Sequence, residues 1–140
     1  MFTLHPRLAA DTFAVVTLPL CEVRLMNDRR FTWLILVPQR EEITELHQLS
    51  STDQIKLLQE SSDISHALTE TGAIDKLNVA ALGNLVAQFH WHLVARSKED
   101  PCWPGPVWGC GNAEPYGAET AKNLITRLRK IINKEGKYES

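Results

Sequence analysis

The chain is short of several things, and each shortage removes a class of function. Its 140 residues hold three cysteines, Cys21, Cys102 and Cys110. That odd number, without framework spacing, argues against a stapled secreted scaffold, so reduced thiols and a cytoplasmic location are expected. Neither sign of charge dominates, since 15 Lys+Arg face 17 Asp+Glu for a formal net charge of −2. A duplex backbone calls for a clearly basic face, so DNA is not an expected partner. The longest apolar-leaning run, 13–20, is interrupted by Thr17 and Pro19. It falls far short of the roughly 20 residues that span a bilayer, and no membrane association is expected. The opening Met1-Phe2-Thr3-Leu4-His5-Pro6-Arg7 lacks the charged, apolar and small-residue succession of a signal peptide. Internal repeats and low-complexity segments are absent from the sequence.

What remains is an ordinary globular composition, 44% hydrophobic and 23% charged. Residues 1–140 are expected to form a single domain, with enough interior to fold without disulfide or metal staples. From Thr12 the chain is rich in β-branched and aromatic residues up to Pro19. The segment from Glu22 to Met26 partly alternates and ends in the turn-forming Asn27-Asp28-Arg29-Arg30. A third run, Phe31-Thr32-Trp33-Leu34-Ile35-Leu36-Val37, stops at Pro38. Three strands with short connections read as an antiparallel meander.

A helix should follow, capped by Ser51 with Gln54 three residues on, and with Asp53 at the positive end of its dipole. Leu57, Leu58, Ile64, Ala67 and Leu68 recur at helical spacing, and Gly72 is a natural stop. Two more strands are expected, 76–81 and 85–95, with Gly83-Asn84 as punctuation between them. Residues 97–117 hold four prolines and four glycines, which no regular element survives. They also carry Trp103, Val107, Trp108 and Tyr116, too apolar for a solvated linker, so an ordered, packed loop is expected. The stretch 118–135 is an amphipathic helix through Ala121, Leu124, Ile125, Leu128, Ile131 and Ile132. Its basic outer face, Lys122, Arg127, Arg129, Lys130 and Lys134, reads as a solvated surface. Strands and helices in runs, without strict alternation, indicate an α+β fold with one central helix packed on an antiparallel sheet.

One stretch carries chemistry: Gln88-Phe89-His90-Trp91-His92-Leu93. On a strand, Gln88, His90 and His92 share one face while Phe89, Trp91 and Leu93 point into the core. Same-face neighbours lie about 6.5–7 Å apart, so both imidazoles can address one substrate group or one metal ion. Histidines alternating with core residues on an edge strand also arise without function. A metal needs a third ligand, from Cys102, Cys110, His47, His66 or Glu41, and none stands at recognisable ligand spacing.

The run from Asn78 through Gly83-Asn84-Leu85 to His92 resembles the signature region of the histidine triad (HIT) family, whose motif alternates three histidines with hydrophobic residues. Leu25-Met26-Asn27-Asp28 falls where that family has its ribose-contacting hairpin, and Leu34-Ile35-Leu36-Val37-Pro38 matches its strand-to-proline segment. Two departures stand out: Gln88 occupies the first triad position, and Glu41 stands where many members have a histidine after the proline. An amide can orient a phosphate but cannot shuttle a proton near neutrality.

The resemblance implies a HIT-like fold and a hydrolase or transferase acting on a purine nucleotide or nucleotide conjugate. His90 would attack the α-phosphorus of a phosphoanhydride or phosphoramidate to form a nucleotidyl-histidine, which water then opens. His92 would donate to a phosphate oxygen, and Gln88 would orient the group. Gly83, Asn84 and Leu85 would offer donors to phosphate, Asn78 would act on the phosphate side, Asn27 would hold the ribose, and Leu25 would pack on the base. The scheme requires no metal and no cofactor. Many members are two-fold dimers, so a homodimer is implied, with the Trp103–Trp108 loop bordering the pocket and selecting the leaving group. Two readings compete with it: a nucleotide-binding protein with little or no catalysis, because of Gln88, and a metal-binding module built on His90 and His92.

Overall fold

The computed structural model describes residues 1–134. Its centre is a five-stranded antiparallel sheet in the order β1-β2-β3-β5-β4, built from β1 (Thr12–Thr17), β2 (Cys21–Met26), β3 (Thr32–Pro38), β4 (Lys76–Ala80) and β5 (Trp91–Arg96). The expected meander is β1 to β3. Three helices complete the α+β fold: α1 (Pro6–Asp11), α2 (Ser51–Thr69) and α3 (Ala118–Asn133). The sequence reading starts regular structure at Thr12, but α1 precedes it. Pro6, with its missing N–H, suits the first turn of α1, and the His5 side chain accepts from the Arg7 N–H at its start.

The faces of the sheet follow strand alternation. Val23 and Leu25 of β2, Leu34 and Leu36 of β3, and Leu93 and Ala95 of β5 join one core with Leu57, Ile64 and Leu68 of α2 and Leu128 of α3. Trp33, Ile35 and Val37 of β3 and Val94 of β5 form a second cluster on the opposite face with Leu8, Phe31 and Val107. Thus residues 97–117 are the packed loop their tryptophans suggested, and Val107 is its buried anchor.

Two details differ from expectation. The cap of α2 is Ser50, whose side chain accepts from the Asp53 N–H at 3.1 Å; Gln54 turns its amide to the Leu49 carbonyl instead of closing a box with Ser51. Leu58 faces solvent, and the buried face of α2 is completed by Glu60 and Ser61. Glu60 accepts the backbone N–H groups of Leu20 and Cys21 at 2.8 and 2.9 Å, and so ties α2 to the β1–β2 connection. Burial and the Glu60 carboxylate push the Cys21 thiol's pKa up, which keeps it protonated. The expected end of the last helix at residue 135 lies outside the described residues, with Lys134 already its C-cap.

The thiol expectation is overturned at the other two cysteines: Cys102 and Cys110, eight residues apart, are joined in a disulfide. Spacing alone could not show it, because the loop folds back on itself around a buried Val107 and brings the two Cα atoms to 6.0 Å.

Candidate functional site

The strand expected over 85–95 begins only at Trp91, and residues 81–90 form an irregular connection between β4 and β5. This connection bends over the second face of the sheet. Together with α1, the β2–β3 turn and the loop 97–117, it encloses an open cavity of about 540 Å³. Gly83, Asn84, Leu85 and Val86 line one side of it, beside His90 and His92. Met26, Asp28, Arg30 and Trp33 come from β2, β3 and their turn, Arg7, Leu8 and Asp11 from α1, and Val107, Trp108 and Gly109 from the long loop. Gly83 has φ +76°, a left-handed conformation that a β-carbon disfavours, and it turns the chain back over the cavity.

The histidine pair is the chemical centre. The ring centroids of His90 and His92 lie 4.9 Å apart with an interplanar angle of 66°. His90 Nδ1 lies 2.7 Å from the main-chain carbonyl oxygen of Gln88. A carbonyl only accepts, so the proton sits on Nδ1, and Nε2 keeps its lone pair. Trp33 Nε1 donates to His92 Nδ1 at 3.0 Å, and Trp108 stands edge-on to the His92 ring at 5.0 Å. Both histidines are buried, and His92 Nε2 has no hydrogen-bond partner within the described chain. Burial, followed by the neighbouring His90, lowers the His92 pKa to about 3, so the ring is neutral at physiological pH.

The opposite end of the cavity is charged and braced. Arg30 holds Asp28 through Nε and Nη2 at 3.0 and 2.8 Å, and its Nη1 donates to the Cys110 carbonyl at 2.6 Å. Burial works against ionisation of Asp28, but the Arg30 hydrogen bonds outweigh it and keep the carboxyl pKa below its ordinary value. Tyr116, close by, is pushed up to about 12 by burial and by the Asp28 charge, and its hydroxyl donates to the Phe31 carbonyl.

Five residues singled out from sequence meet in this cavity: His90, His92, Gly83, Asn84 and Leu85. Four do not line it. Gln88 lies in the same irregular connection as His90, but its side chain turns to the N-terminal segment instead of the cavity. Its side chain accepts from the His5 N–H at 2.8 Å and donates to the Thr3 carbonyl at 2.9 Å, and it reaches the site only through its own carbonyl. Leu25 points to the helix-side core because alternation in β2 gives the cavity face to Met26. Asn27 accepts from the Tyr116 N–H at 2.9 Å, and Asp28 occupies the cavity position instead. Asn78 accepts from Arg96 Nη1 at 2.8 Å; that arginine is buried and paired with Asp100.

Trp33, Asp28 and Arg30 were missed as site residues. Alternation in β3 did contain the signal for Trp33, since it shares a face with Ile35 and Val37 and not with Leu34. Of the two loop tryptophans, Trp108 lines the cavity, whereas Trp103 lies against the Arg96 guanidinium at 5.7 Å. Donors for a metal are engaged elsewhere: the two loop cysteines bond each other, and Glu41 pairs with the Met1 ammonium. Among the described residues, no three His, Cys, Asp or Glu side chains gather as a metal site.

An antiparallel sheet with one histidine on strand β5 and another just before it, beneath a glycine-containing connection, defines a class, and comparison with known proteins gives the same one. A family profile described as HIT domain matches residues 7–99. A histidine triad protein of Sinorhizobium meliloti shares 46% identity over 92% of this chain and 96% of its own, with a TM-score of 0.90. One from Marinobacter aquaeolei shares 45% over 96% of this chain and 98% of its own, with a TM-score of 0.92. A hypothetical histidine triad nucleotide-binding protein of Sulfolobus tokodaii, 13% identical over 92% of this chain and 91% of its own, shares the fold at a TM-score of 0.68. No curated protein sequence matches. The chain belongs to the histidine triad family.

Proposed function

We propose that this protein is a nucleotide hydrolase that cleaves a phosphoanhydride or phosphoramidate bond at the α-phosphate of a purine nucleotide through a nucleotidyl-histidine. The observation that carries the proposal is the His90 ring, with Nδ1 against the Gln88 carbonyl at 2.7 Å and Nε2 left as a lone pair in a histidine that lines the cavity. In its neutral form an imidazole so held is a nucleophile. Nε2 forms a bond to the α-phosphorus while the bond to the leaving group breaks, and that pair of electrons departs with the leaving oxygen or nitrogen, a leaving nitrogen taking a proton from solvent water. Water then attacks the same phosphorus and gives up a proton to solvent, the N–P bond breaks, and the electron pair returns to Nε2 as the nucleoside monophosphate leaves.

The surrounding residues divide by chemistry. His92 Nε2 has no partner among the described residues and donates to a phosphate oxygen as negative charge builds. The backbone of Gly83, Asn84 and Leu85 lies beside it for further phosphate contacts. The Asp28 carboxylate is buried and already accepts from Arg30 and the Glu114 N–H, so it braces the turn at the cavity and does not take over the ribose role that the resemblance implied for Asn27. Leu8, Met26 and Val107 offer an apolar seat for the base. No step calls for a metal.

The remaining expectations belong to the same proposal: one domain over 1–140, a homodimer, and a cytoplasmic setting. Edge strand β4 exposes Val79, and the adjoining connection exposes Leu82 and Leu85, an apolar strip that a second copy would cover. In the cytoplasm the Cys102–Cys110 bond would stand against a reducing thiol pool. No helix among the described residues is long and apolar enough to cross a membrane.

One observation favours a second reading, nucleotide binding with little catalysis: Gln88 offers no titratable side chain to the site, and its amide faces the N-terminal segment. A single-turnover reaction with adenosine 5′-phosphoramidate, quenched in alkali and read by intact-protein mass, separates the two. The hydrolase gives an adenylate-sized gain on wild type, none on His90→Ala, and release of AMP. AMP binding without adduct or turnover establishes the second reading.

A further inference from the structure

His90 and His92 stand side by side but are polarised in opposite senses. A neutral imidazole has one N–H and one lone pair, and the partner of one nitrogen dictates the role of the other. At His90 the partner of Nδ1 is a carbonyl, which places the lone pair on Nε2. At His92 the partner of Nδ1 is the Trp33 indole N–H, 3.0 Å away. Indole nitrogen donates and never accepts, so His92 Nδ1 must present the lone pair and Nε2 must carry the proton. That Nε2–H is buried, unpartnered within the described chain, and belongs to a cavity-lining ring.

We propose that Trp33 is a positioning residue that locks His92 as a fixed Nε2–H donor aimed at the phosphate, and excludes it from proton relay. The inference rests on the hydrolase reading for its consequence, though not for its geometry. An indole can neither give up nor take a proton near neutrality, so charge cannot pass out of His92 through Nδ1. With a carboxylate or carbonyl in place of Trp33, the proton would move to Nδ1 and a lone pair would face the phosphate oxygens. The lock is braced by ring packing: the ring centroids of Trp33 and Trp108 lie 5.7 and 5.0 Å from that of His92, with the two indoles 5.8 Å apart. The charged and titratable groups around the cavity are His90 from the 81–90 connection, Arg7 and Asp11 from α1, and Asp28 and Arg30 from the β2–β3 turn. Both arginines are engaged by carboxylates, Arg7 with Asp11 and Arg30 with Asp28.

The test is nitrogen NMR on the full chain labelled with ¹⁵N in histidine and tryptophan, from pH 5 to 8. The expected wild-type spectrum shows His92 as the Nε2–H tautomer throughout, with a through-hydrogen-bond coupling between Trp33 Nε1 and His92 Nδ1. Trp33→Phe keeps an aromatic ring but removes the donor; it should shift the His92 tautomer ratio by about tenfold toward Nδ1–H, the worth of one hydrogen bond. Trp108→Phe, which removes only ring contact, should leave the tautomer as it is. With a merely packing role for Trp33 the wild type would show no coupling and Trp33→Phe would leave the tautomer unmoved; an unchanged His92 tautomer in Trp33→Phe overturns the proposal. Should that variant fail to fold, the wild-type spectrum decides alone: an Nδ1–H pattern, or no coupling to Trp33, overturns it as well. Adduct formation is measured on the same samples. The lock signature without any adduct counts against the hydrolase reading only, and an adduct without the signature counts against the lock only.

Discussion

Acid should destabilise this protein through His92 in a way that a single substitution removes. The ring's pKa stands at about 3 in the folded chain against an ordinary 6.5, lowered first by burial and then by His90. A histidine whose folded pKa is depressed costs nothing above 6.5, where both folded and unfolded chains leave it neutral. As pH falls below 6.5 the unfolded chain takes up a proton that the folded chain refuses, and stability drops until about pH 3. At pH 5, about 1.5 units into that window, the loss from this group is about 2 kcal/mol at 1.36 kcal/mol per unit. Urea unfolding at pH 7 and pH 5, on wild type and His92→Gln, isolates the effect, because carboxylates and other histidines contribute alike to both chains. Wild type should lose about 2 kcal/mol more than the variant between the two pH values, which lowers its midpoint by about 1 M further at a typical urea slope. Equal losses in the two chains would mean that His92 is not held neutral, and the account of the site as a buried, uncharged donor would fail.

Two further outcomes test the frame that carries the site. Glu60→Ala leaves the Leu20 and Cys21 N–H groups buried without acceptors and should cost about 2–4 kcal/mol in thermal unfolding; Glu60→Gln, which keeps one accepting oxygen, should fall between it and wild type. Reducing the Cys102–Cys110 bond, eight residues apart, should cost about 2 kcal/mol of chain entropy, or a fall of about 7 °C in Tm by differential scanning fluorimetry. An unchanged Tm under reductant would show that the loop is held by Val107 and its neighbours alone.

Much of the fold was legible because its cause is local. Strand alternation assigned Leu34, Leu36 and Leu93 to one face, and helical spacing put Leu57, Ile64 and Leu128 in the core. The same period misled at Gln88, since a strand expected from 85 begins at Trp91; in the irregular connection before it His90 turns to the cavity and Gln88 to the N-terminal segment. The histidine pair and the Gly83-Asn84-Leu85 connection were legible as a motif. Asn27 and Asp28 are neighbours in one turn, and no local rule tells which of them faces a cavity built from α1 and a loop some 80 residues away.

Residue type and order by themselves determined the family, the helix-covered sheet and the presence of two imidazoles within reach of one group. Tertiary structure alone decided what those imidazoles can do. A carbonyl meets one ring and an indole N–H from a different strand meets the other, giving a lone pair at His90 and a proton at His92. The tautomer of a buried histidine is set by whichever group packs against its far nitrogen, and here that partner is either a main-chain atom or a side chain 59 residues distant.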